Sequence, residues 1–144
     1  MGSEIETRSV VPPARILVIE DNAADVFLLG RALDKQARRF ELTSLADGGA
    51  ALAFIRREGA YADAAIPHLI LVDLNLPKHD GEEVLREIRR AKHLAGVPVC
   101  AWSSSQSRRD RDLLTELGVA RFITKPSGLD QFMEIGKILD GLLA

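Results

Sequence analysis

The residues that decide the fold are Leu69-Ile70-Leu71-Val72-Asp73, an unbroken apolar run that ends in a carboxylate. Pro67 lies just before the run, which lacks the polar alternation typical of a strand with one face in water. A continuous apolar strand of this kind is covered on both faces, so it belongs at the centre of a parallel sheet. The sequence therefore predicts a layered domain built around residues 69–73.

Strands and helices alternate along the rest of the chain. Four further apolar segments predict strands at 15–19, 41–46, 97–102 and 119–124. Helices are predicted over 23–37 and 48–57, after a capping box of Asp80 and Glu83, over 108–117 before Gly118, and after a cap formed by Ser127 and Asp130. Five strands alternating with five helices predict an α/β fold, a doubly wound five-stranded parallel sheet with five flanking helices.

Composition and charge narrow the class of protein. The chain has 144 residues, of which 47% are hydrophobic and 28% charged, and a formal net charge of −2. These values predict one ordinary soluble domain at 15–144, preceded by a flexible tail at 1–14. The small net charge argues against nucleic-acid binding, and the lack of a long apolar run argues against a membrane protein. A single cysteine, Cys100, excludes an internal disulfide and favours a cytoplasmic setting.

Polar residues stand at the ends of four of the five predicted strands. Glu20 and Asp21 follow the first strand, Asp73 ends the third, Ser103 follows the fourth and Lys125 follows the fifth. Because the carboxyl ends of parallel strands meet at one edge of the sheet, these side chains are expected to converge there. That edge is where open α/β sheets bind their ligands.

The converging groups suit the acceptance of a phosphoryl group. Three carboxylates in one cleft repel one another, so a cation must offset them, and oxygen donors favour Mg²⁺. The three histidines are expected to be solvated in loops or at a helix end: His68, His79 and His93. Asp73 can attack phosphorus while Mg²⁺ and Lys125 neutralise the phosphoryl oxygens and Ser103 donates a hydrogen bond.

Three segments carry a family resemblance: Val72-Asp73-Leu74-Asn75-Leu76-Pro77-Lys78-His79-Asp80-Gly81, the pair Glu20-Asp21, and Phe122-Ile123-Thr124-Lys125-Pro126. Together with the spacing of Asp73, Ser103 and Lys125, they resemble the receiver domains of response regulators, which have the flavodoxin-like, CheY-like fold. The resemblance covers residues 15–144. Ser103 stands where threonine is commoner, and Glu20-Asp21 replaces the frequent Asp-Asp pair, but both variants are chemically adequate.

The resemblance implies a phosphoacceptor site. Asp73 would be phosphorylated by a histidine kinase. Mg²⁺ would be bound by Asp21, Asp73 and the backbone carbonyl of Asn75, with Glu20 holding a metal-bound water. Lys125 would bind the phosphoryl group.

The resemblance also implies a switch and an output surface. Ser103 and Phe122 would form the switch, in which the hydroxyl moves toward the phosphoryl oxygens and the aromatic ring turns inward. The Lys125–Pro126 peptide bond is expected to be cis. The face made by the fourth helix, the fifth strand and the fifth helix would then signal to a downstream protein or phosphotransfer partner.

A narrower resemblance is to the small single-domain regulators paired with phytochrome-type histidine kinases. It rests on the sequence of residues 73–81, on the long loop at 58–68, and on the lack of a further domain after Ala144. It implies that the phosphoryl donor is a kinase of the phytochrome class, such as a bacteriophytochrome.

Other functions stay open at this point. A protein-interaction module could keep the same fold without phosphorylation. An aspartate-based phosphatase would carry a second Asp where Asn75 stands, and an FMN-binding flavodoxin would carry a Ser/Thr/Gly-rich loop after the first strand. A run of mixed charges in the fourth helix suits either a homodimer contact or a solvated helix face: Arg108, Arg109, Asp110, Arg111 and Asp112.

The fourth predicted strand contains the single cysteine and the single tryptophan of the chain. Cys100 is expected to be a small buried apolar residue without a redox role. Trp102 directly precedes Ser103 and is expected to pack under the helices that cover the sheet. The alternative is that its bulk restricts movement of the loop after the strand.

Overall fold

The computed structural model describes residues 11–76, 81–104 and 107–143. Strands and helices alternate in the order β1 (Ala14–Ile19), α1 (Ala23–Asp34), β2 (Phe40–Leu45), α2 (Gly48–Ile55), β3 (Leu69–Asp73), α3 (Gly81–Arg90), β4 (Val99–Ser103), α4 (Arg108–Glu116), β5 (Arg121–Thr124) and α5 (Leu129–Leu142). Short 3₁₀ turns at Gly59–Tyr61 and Lys92–Leu94 lie in the loops before β3 and β4. The strands form one parallel sheet in the order β2-β1-β3-β4-β5, which confirms the predicted fold.

The central strand β3 is buried along its whole length. Ile70 and Val72 pack in one core with helices α2, α3 and α4, while Leu69 and Leu71 pack in a second core with α1 and α5. Burying an aliphatic side chain of this size contributes about 1.5–3 kcal/mol. Two covered faces thus account for the unbroken apolar run that the sequence shows.

The topology fixes where a site can form. Strands β1 and β3 are neighbours, but the chain leaves β1 toward one edge of the sheet and leaves β3 toward the other. The connections therefore separate above the carboxyl ends of these two strands, and the crevice between them is the usual binding place in open α/β sheets. Among the described residues, no helix is long and apolar enough to cross a bilayer.

Two glycines allow backbone to approach backbone closely. A Cβ added to Gly136 on α5 would lie 2.7 Å from the carbonyl oxygen of Ala32 on α1. A Cβ added to Gly81 would lie 2.5 Å from Cα of Leu74 and 2.6 Å from the carbonyl oxygen of Asp73. Gly81 therefore lets α3 start directly against the segment that follows β3.

The start of α5 differs from the prediction. Gly128 is the N-cap residue, and no side chain caps the helix there. Ser127, the predicted cap, lies one residue earlier, and its N–H donates to Oε1 of Gln131 at 3.1 Å. The predicted cap is therefore wrong: the helix begins one residue later, and the side-chain contact at its start is made by Gln131 and not by the serine hydroxyl. Asp80, predicted to cap α3, lies outside the described residues.

The strand β5 is shorter than predicted because a turn occupies its expected start. The N–H of Val119 donates to the carbonyl of Leu114 at 3.0 Å, which closes the end of α4. Gly118 makes this possible with a φ of +67°, a conformation that glycine adopts without strain. The strand itself therefore begins at Arg121.

Candidate functional site

The carboxyl ends of four strands bring the predicted polar residues together. Glu20 and Asp21 follow β1, Asp73 ends β3, Ser103 ends β4 and Lys125 follows β5. Glu20, Asp73 and Ser103 are buried, whereas Asp21 is exposed at the mouth of the crevice. These three are the buried polar or charged residues of the described chain, so its buried polar groups are concentrated at this edge.

The Lys125 ammonium is the cation of this crevice. Its Nζ lies 2.6 Å from Oε1 of Glu20 and 3.4 Å from Oδ2 of Asp73. It also lies 3.3 Å from Oδ2 of Asp25, on the first turn of α1. The first two contacts join residues that the sequence had grouped, and the third brings in a carboxylate that sequence reasoning missed.

Burial and neighbouring charges shift the pKa values of Glu20 and Lys125. Burial raises the pKa of Glu20 to about 7, against the opposing effects of Lys125 and of the Asn22 N–H, which donates to Oε2 at 3.0 Å. Burial lowers the pKa of Lys125, but the hydrogen bond and charge of Glu20 together with Asp73 outweigh it, and the net direction is upward. Because burial disfavours its charged form, Glu20 takes up a proton at a higher pH than an exposed glutamate does, while Lys125 stays charged.

Three carboxylates are close enough together to bind one metal ion. One oxygen each from Glu20, Asp21 and Asp73 lies within 4.8 Å of the others, and these form the group of potential metal ligands found in the described part of the chain. Carboxylate oxygens without nitrogen or sulfur suit a hard divalent cation. Carboxylates this close together repel one another, and such a cation would offset their charge.

Asp73 and Ser103 are joined through Asn75. The backbone N–H of Asn75 donates to Oδ1 of Asp73 at 2.9 Å, and its side-chain Nδ2 donates to Oγ of Ser103 at 2.8 Å. The N–H of Lys125 donates to the carbonyl of Ser103 at 2.8 Å, which fixes the start of the loop after β5 against β4. Asp73, the Ser103 hydroxyl and the backbone of Lys125 therefore belong to one hydrogen-bonded unit.

Phe122 lies close to this unit but is not part of it. In the sheet it pairs with Ala101, two residues before Ser103, and it packs partly buried against the core with α2, α3 and α4. It also lines a surface cavity of about 430 Å³ between α4 and β5. The structure thus places Phe122 and Ser103 on the same face of neighbouring strands, and the switch role of the pair stays a prediction.

Trp102 packs in the core as predicted, and it also contacts the site. Its side chain is buried, with the ring edge against Phe132 of α5 at a centroid separation of 6.2 Å. Nζ of Lys125 lies 5.3 Å from the centroid of the indole, within the range of a cation–π contact. The sequence contained the signal for this contact, since Trp102 and Lys125 stand at the ends of neighbouring strands.

Three other predictions concern Cys100, the histidines and the Lys125–Pro126 peptide bond. Cys100 is buried, and burial raises the pKa of its thiol to about 11, which fits an unreactive apolar residue. His68 and His93 are exposed as predicted, while His79 lies outside the described residues.

The described residues contain no cis peptide bond, so the Lys125–Pro126 bond is trans and the cis prediction is wrong. The trans form is the one that an X–Pro bond favours by about 0.5–1 kcal/mol.

Comparison with known proteins places this site in a family. The model of the "Response regulator receiver domain" family matches residues 16–137. The chain belongs to the response-regulator receiver family. Receiver domains bind a divalent metal and serve phosphorylation-based two-component signalling, so a module that works without phosphorylation is not favoured.

The chain is similar to regulators associated with phytochromes. It is 40% identical over 124 residues to response regulator Rcp1 of Synechocystis sp., covering 86% of this chain and 84% of Rcp1. A crystal structure of Mn²⁺-bound Rcp1 matches with a TM-score of 0.82 at 37% identity, over 90% of this chain and 93% of that chain. The phosphorylated cyanobacterial phytochrome response regulator RcpA matches with a TM-score of 0.85 at 39% identity, over 92% and 94%. The bacteriophytochrome response regulator RtBRR matches with a TM-score of 0.73 at 35% identity, over 90% and 78%.

Proposed function

We propose that the protein is a response regulator in which Asp73 accepts a phosphoryl group from a histidine kinase. The observation that carries this proposal is the setting of the Asp73 carboxylate. One oxygen accepts from the Asn75 N–H at 2.9 Å, and the other lies 3.4 Å from the Lys125 ammonium. The carboxylate is thus held in one orientation beside the Lys125 ammonium. This ammonium can also neutralise the charge on a phosphoryl group that is transferred to Asp73.

The proposed reaction moves one phosphoryl group. An oxygen of Asp73 attacks the phosphorus of a phosphohistidine, the new O–P bond forms as the P–N bond breaks, and the leaving imidazole nitrogen takes up a proton. Lys125 neutralises charge on the equatorial oxygens. Water later hydrolyses the acyl phosphate and returns Asp73 to its carboxylate form.

We assign the metal as Mg²⁺, which would be held by Asp21, Asp73 and the backbone carbonyl of Asn75, with Glu20 binding through water. The three clustered carboxylates support this assignment. The ion supplies positive charge that offsets the charge of the transferring group. With the charge of Glu20 offset in this way, Lys125 would be available to the phosphoryl oxygens.

The proposed output uses Ser103 and Phe122 to change the face formed by α4, β5 and α5. The cavity of about 430 Å³ beside Phe122 gives the ring space to move, and α4 has a single buried residue, Leu114. A weakly buried helix next to a cavity can shift at low cost. The changed face would bind a downstream protein or phosphotransfer partner. A homodimer contact through the charged surface of α4 stays a prediction.

The phosphoryl donor is proposed to be a histidine kinase of the phytochrome class. Support comes from the names of RcpA and RtBRR, which are described as phytochrome and bacteriophytochrome response regulators. The test is transfer of labelled phosphate from a purified, autophosphorylated phytochrome-type kinase to the wild-type protein, to Asp73→Asn and to a control, Asp63→Asn. Label on the wild type and the control, but not on Asp73→Asn, is expected. Equal labelling of all three proteins would contradict the proposal.

A further inference from the structure

The Lys125 ammonium has as many carboxylate partners as it has protons. Oxygens of Glu20, Asp73 and Asp25 lie 2.6, 3.4 and 3.3 Å from Nζ. Glu20 and Asp73 belong to the group of clustered potential metal ligands, and Asp25 does not. If a cation bound these ligands, Asp25 would be the carboxylate left beside Lys125.

The contact between Asp25 and Lys125 joins two anchored parts of the chain. Asp25 lies on the first turn of α1, where its N–H donates to Oδ1 of the N-cap residue Asn22 at 3.2 Å. The backbone of Lys125 is fixed to Ser103, as described above. Both side chains are largely shielded from water, with 19% and 15% of their surfaces exposed. A partly shielded ion pair between fixed elements is screened less than a surface pair.

We propose that Asp25 is a positioning residue of the phosphoacceptor site, which draws Lys125 toward α1 and thereby restrains its engagement of the phosphoryl group. This inference rests on the proposed function and adds a regulator of its rate. The carboxylate competes with phosphoryl oxygens for the same ammonium. It also draws the ammonium away from Glu20 and Asp73, which leaves these oxygens freer for a cation.

Two opposite effects follow from removing the charge of Asp25. In Asp25→Asn, Lys125 is freer to bind the incoming phosphoryl group, so phosphorylation at saturating Mg²⁺ is expected to be faster. The same lysine is also freer to pair with Glu20 and Asp73, so binding of a divalent cation is expected to be weaker. A variant that is merely misfolded would lose both properties together.

The experiment measures both properties on the full chain. The second-order rate constant for acetyl phosphate comes from intact mass against time, and cation affinity comes from the free Mn²⁺ signal in electron paramagnetic resonance. Asp25→Asn is expected to raise the rate constant and the Mn²⁺ dissociation constant, each roughly threefold, as suits loss of one partly shielded ion pair. Asp25→Glu, which keeps the charge, is expected to restore both toward wild type.

Two controls separate the contact from a general effect of charge. Asp34→Asn removes the same charge from the exposed far end of α1 and is expected to change neither quantity. The second control repeats Asp25→Asn in a Lys125→Ala background, which keeps Asp73 and the acidic cluster and so is expected to retain slow labelling. There the Asp25 substitution is expected to change each quantity by less than about 1.5-fold, since its partner is absent.

The outcomes distinguish this inference from the proposed function. If the wild type is labelled but Asp25→Asn leaves both quantities unchanged, or lowers the rate constant, the positioning role is wrong and the phosphoacceptor assignment stands. If Asp25→Asn changes both quantities as much in the Lys125→Ala background as in the wild type, the positioning role is also wrong. The effect would then come from the charge of Asp25 acting through space and not through the lysine. A wild-type protein that takes up no phosphate and binds no Mn²⁺ would instead overturn the proposed function itself.

Discussion

The side-chain amide of Asn75 donates a hydrogen bond of 2.8 Å to the hydroxyl oxygen of Ser103. Asn75 lies two residues after the proposed phosphoacceptor, and Ser103 is the proposed switch hydroxyl. If the hydroxyl turns toward a phosphoryl group on Asp73, this hydrogen bond has to lengthen or break. We therefore expect Asn75 to stabilise the unphosphorylated arrangement of the site.

Replacing Asn75 with alanine is expected to favour the phosphorylated arrangement. A hydrogen bond of this kind contributes about 1 kcal/mol, so the affinity for the phosphoryl mimic beryllofluoride should rise roughly fivefold. A titration followed by ¹⁹F nuclear magnetic resonance of the bound fluorides measures this affinity directly. In a Ser103→Ala background the same substitution should have no such effect, and an unchanged or weaker affinity of Asn75→Ala would refute the role assigned to this bond.

The stability of the metal-free protein is expected to depend on pH through Glu20. Its pKa is about 7 in the folded protein and about 4.5 when unfolded, so between these values the folded protein binds more protons. The contribution of Glu20 to the free energy of unfolding is complete below pH 4.5 and is lost as the pH rises to 7. The loss is about 1–3 kcal/mol.

Urea unfolding in EDTA at several values between pH 4.5 and 8 tests this expectation, with Glu20→Gln as the matched variant. The glutamine does not titrate, so the wild type should lose stability relative to Glu20→Gln as the pH rises. Saturating Mg²⁺ should reduce the difference, because the cation then offsets the carboxylates. Parallel pH profiles of the two proteins in EDTA would show that Glu20 keeps an ordinary pKa.

The contact between α1 and α5 is expected to depend on Gly136. An added methyl group would lie 2.7 Å from the carbonyl oxygen of Ala32, and both helices would have to shift. Gly136→Ala is expected to lower the free energy of unfolding by about 1–3 kcal/mol. The matched control is Gly141→Ala on the same helix, where nothing lies within 4 Å and the better helix propensity of alanine should be neutral or stabilising. Equal stability of the two variants in urea unfolding would contradict the close packing.

The sequence was sufficient to predict the sheet and the residues at its carboxyl edge. The unbroken run at β3 requires two covered faces, and parallel strands bring their carboxyl ends together, so the grouping of Asp73 with Lys125 follows from topology. The cap of α5 could not be predicted in the same way, because Ser127 and Gly128 are both acceptable N-cap residues. In the structure the side chain of Gln131 accepts from the N–H of Ser127, a contact that the sequence pattern does not specify.

The role of Asp25 could not be predicted for a different reason. An acidic residue in the first turn of a helix is usually explained by the helix dipole. Its contact with Lys125 depends on how α1 lies over the carboxyl ends of the strands, which is a matter of packing between elements distant in the chain. A motif that records only strand ends therefore omits the carboxylate contributed by the neighbouring helix.

The most direct test of the central claim is the intact mass of the protein after incubation with acetyl phosphate and Mg²⁺. Phosphorylation of Asp73 predicts a gain of about 80 Da, the mass of one phosphoryl group, in the wild type. The gain should be absent in Asp73→Asn and in the presence of EDTA, and reduction of the acyl phosphate with borohydride should mark the peptide that contains Asp73. A gain of the same size in Asp73→Asn, or one that persists in EDTA, would contradict metal-dependent phosphorylation of Asp73.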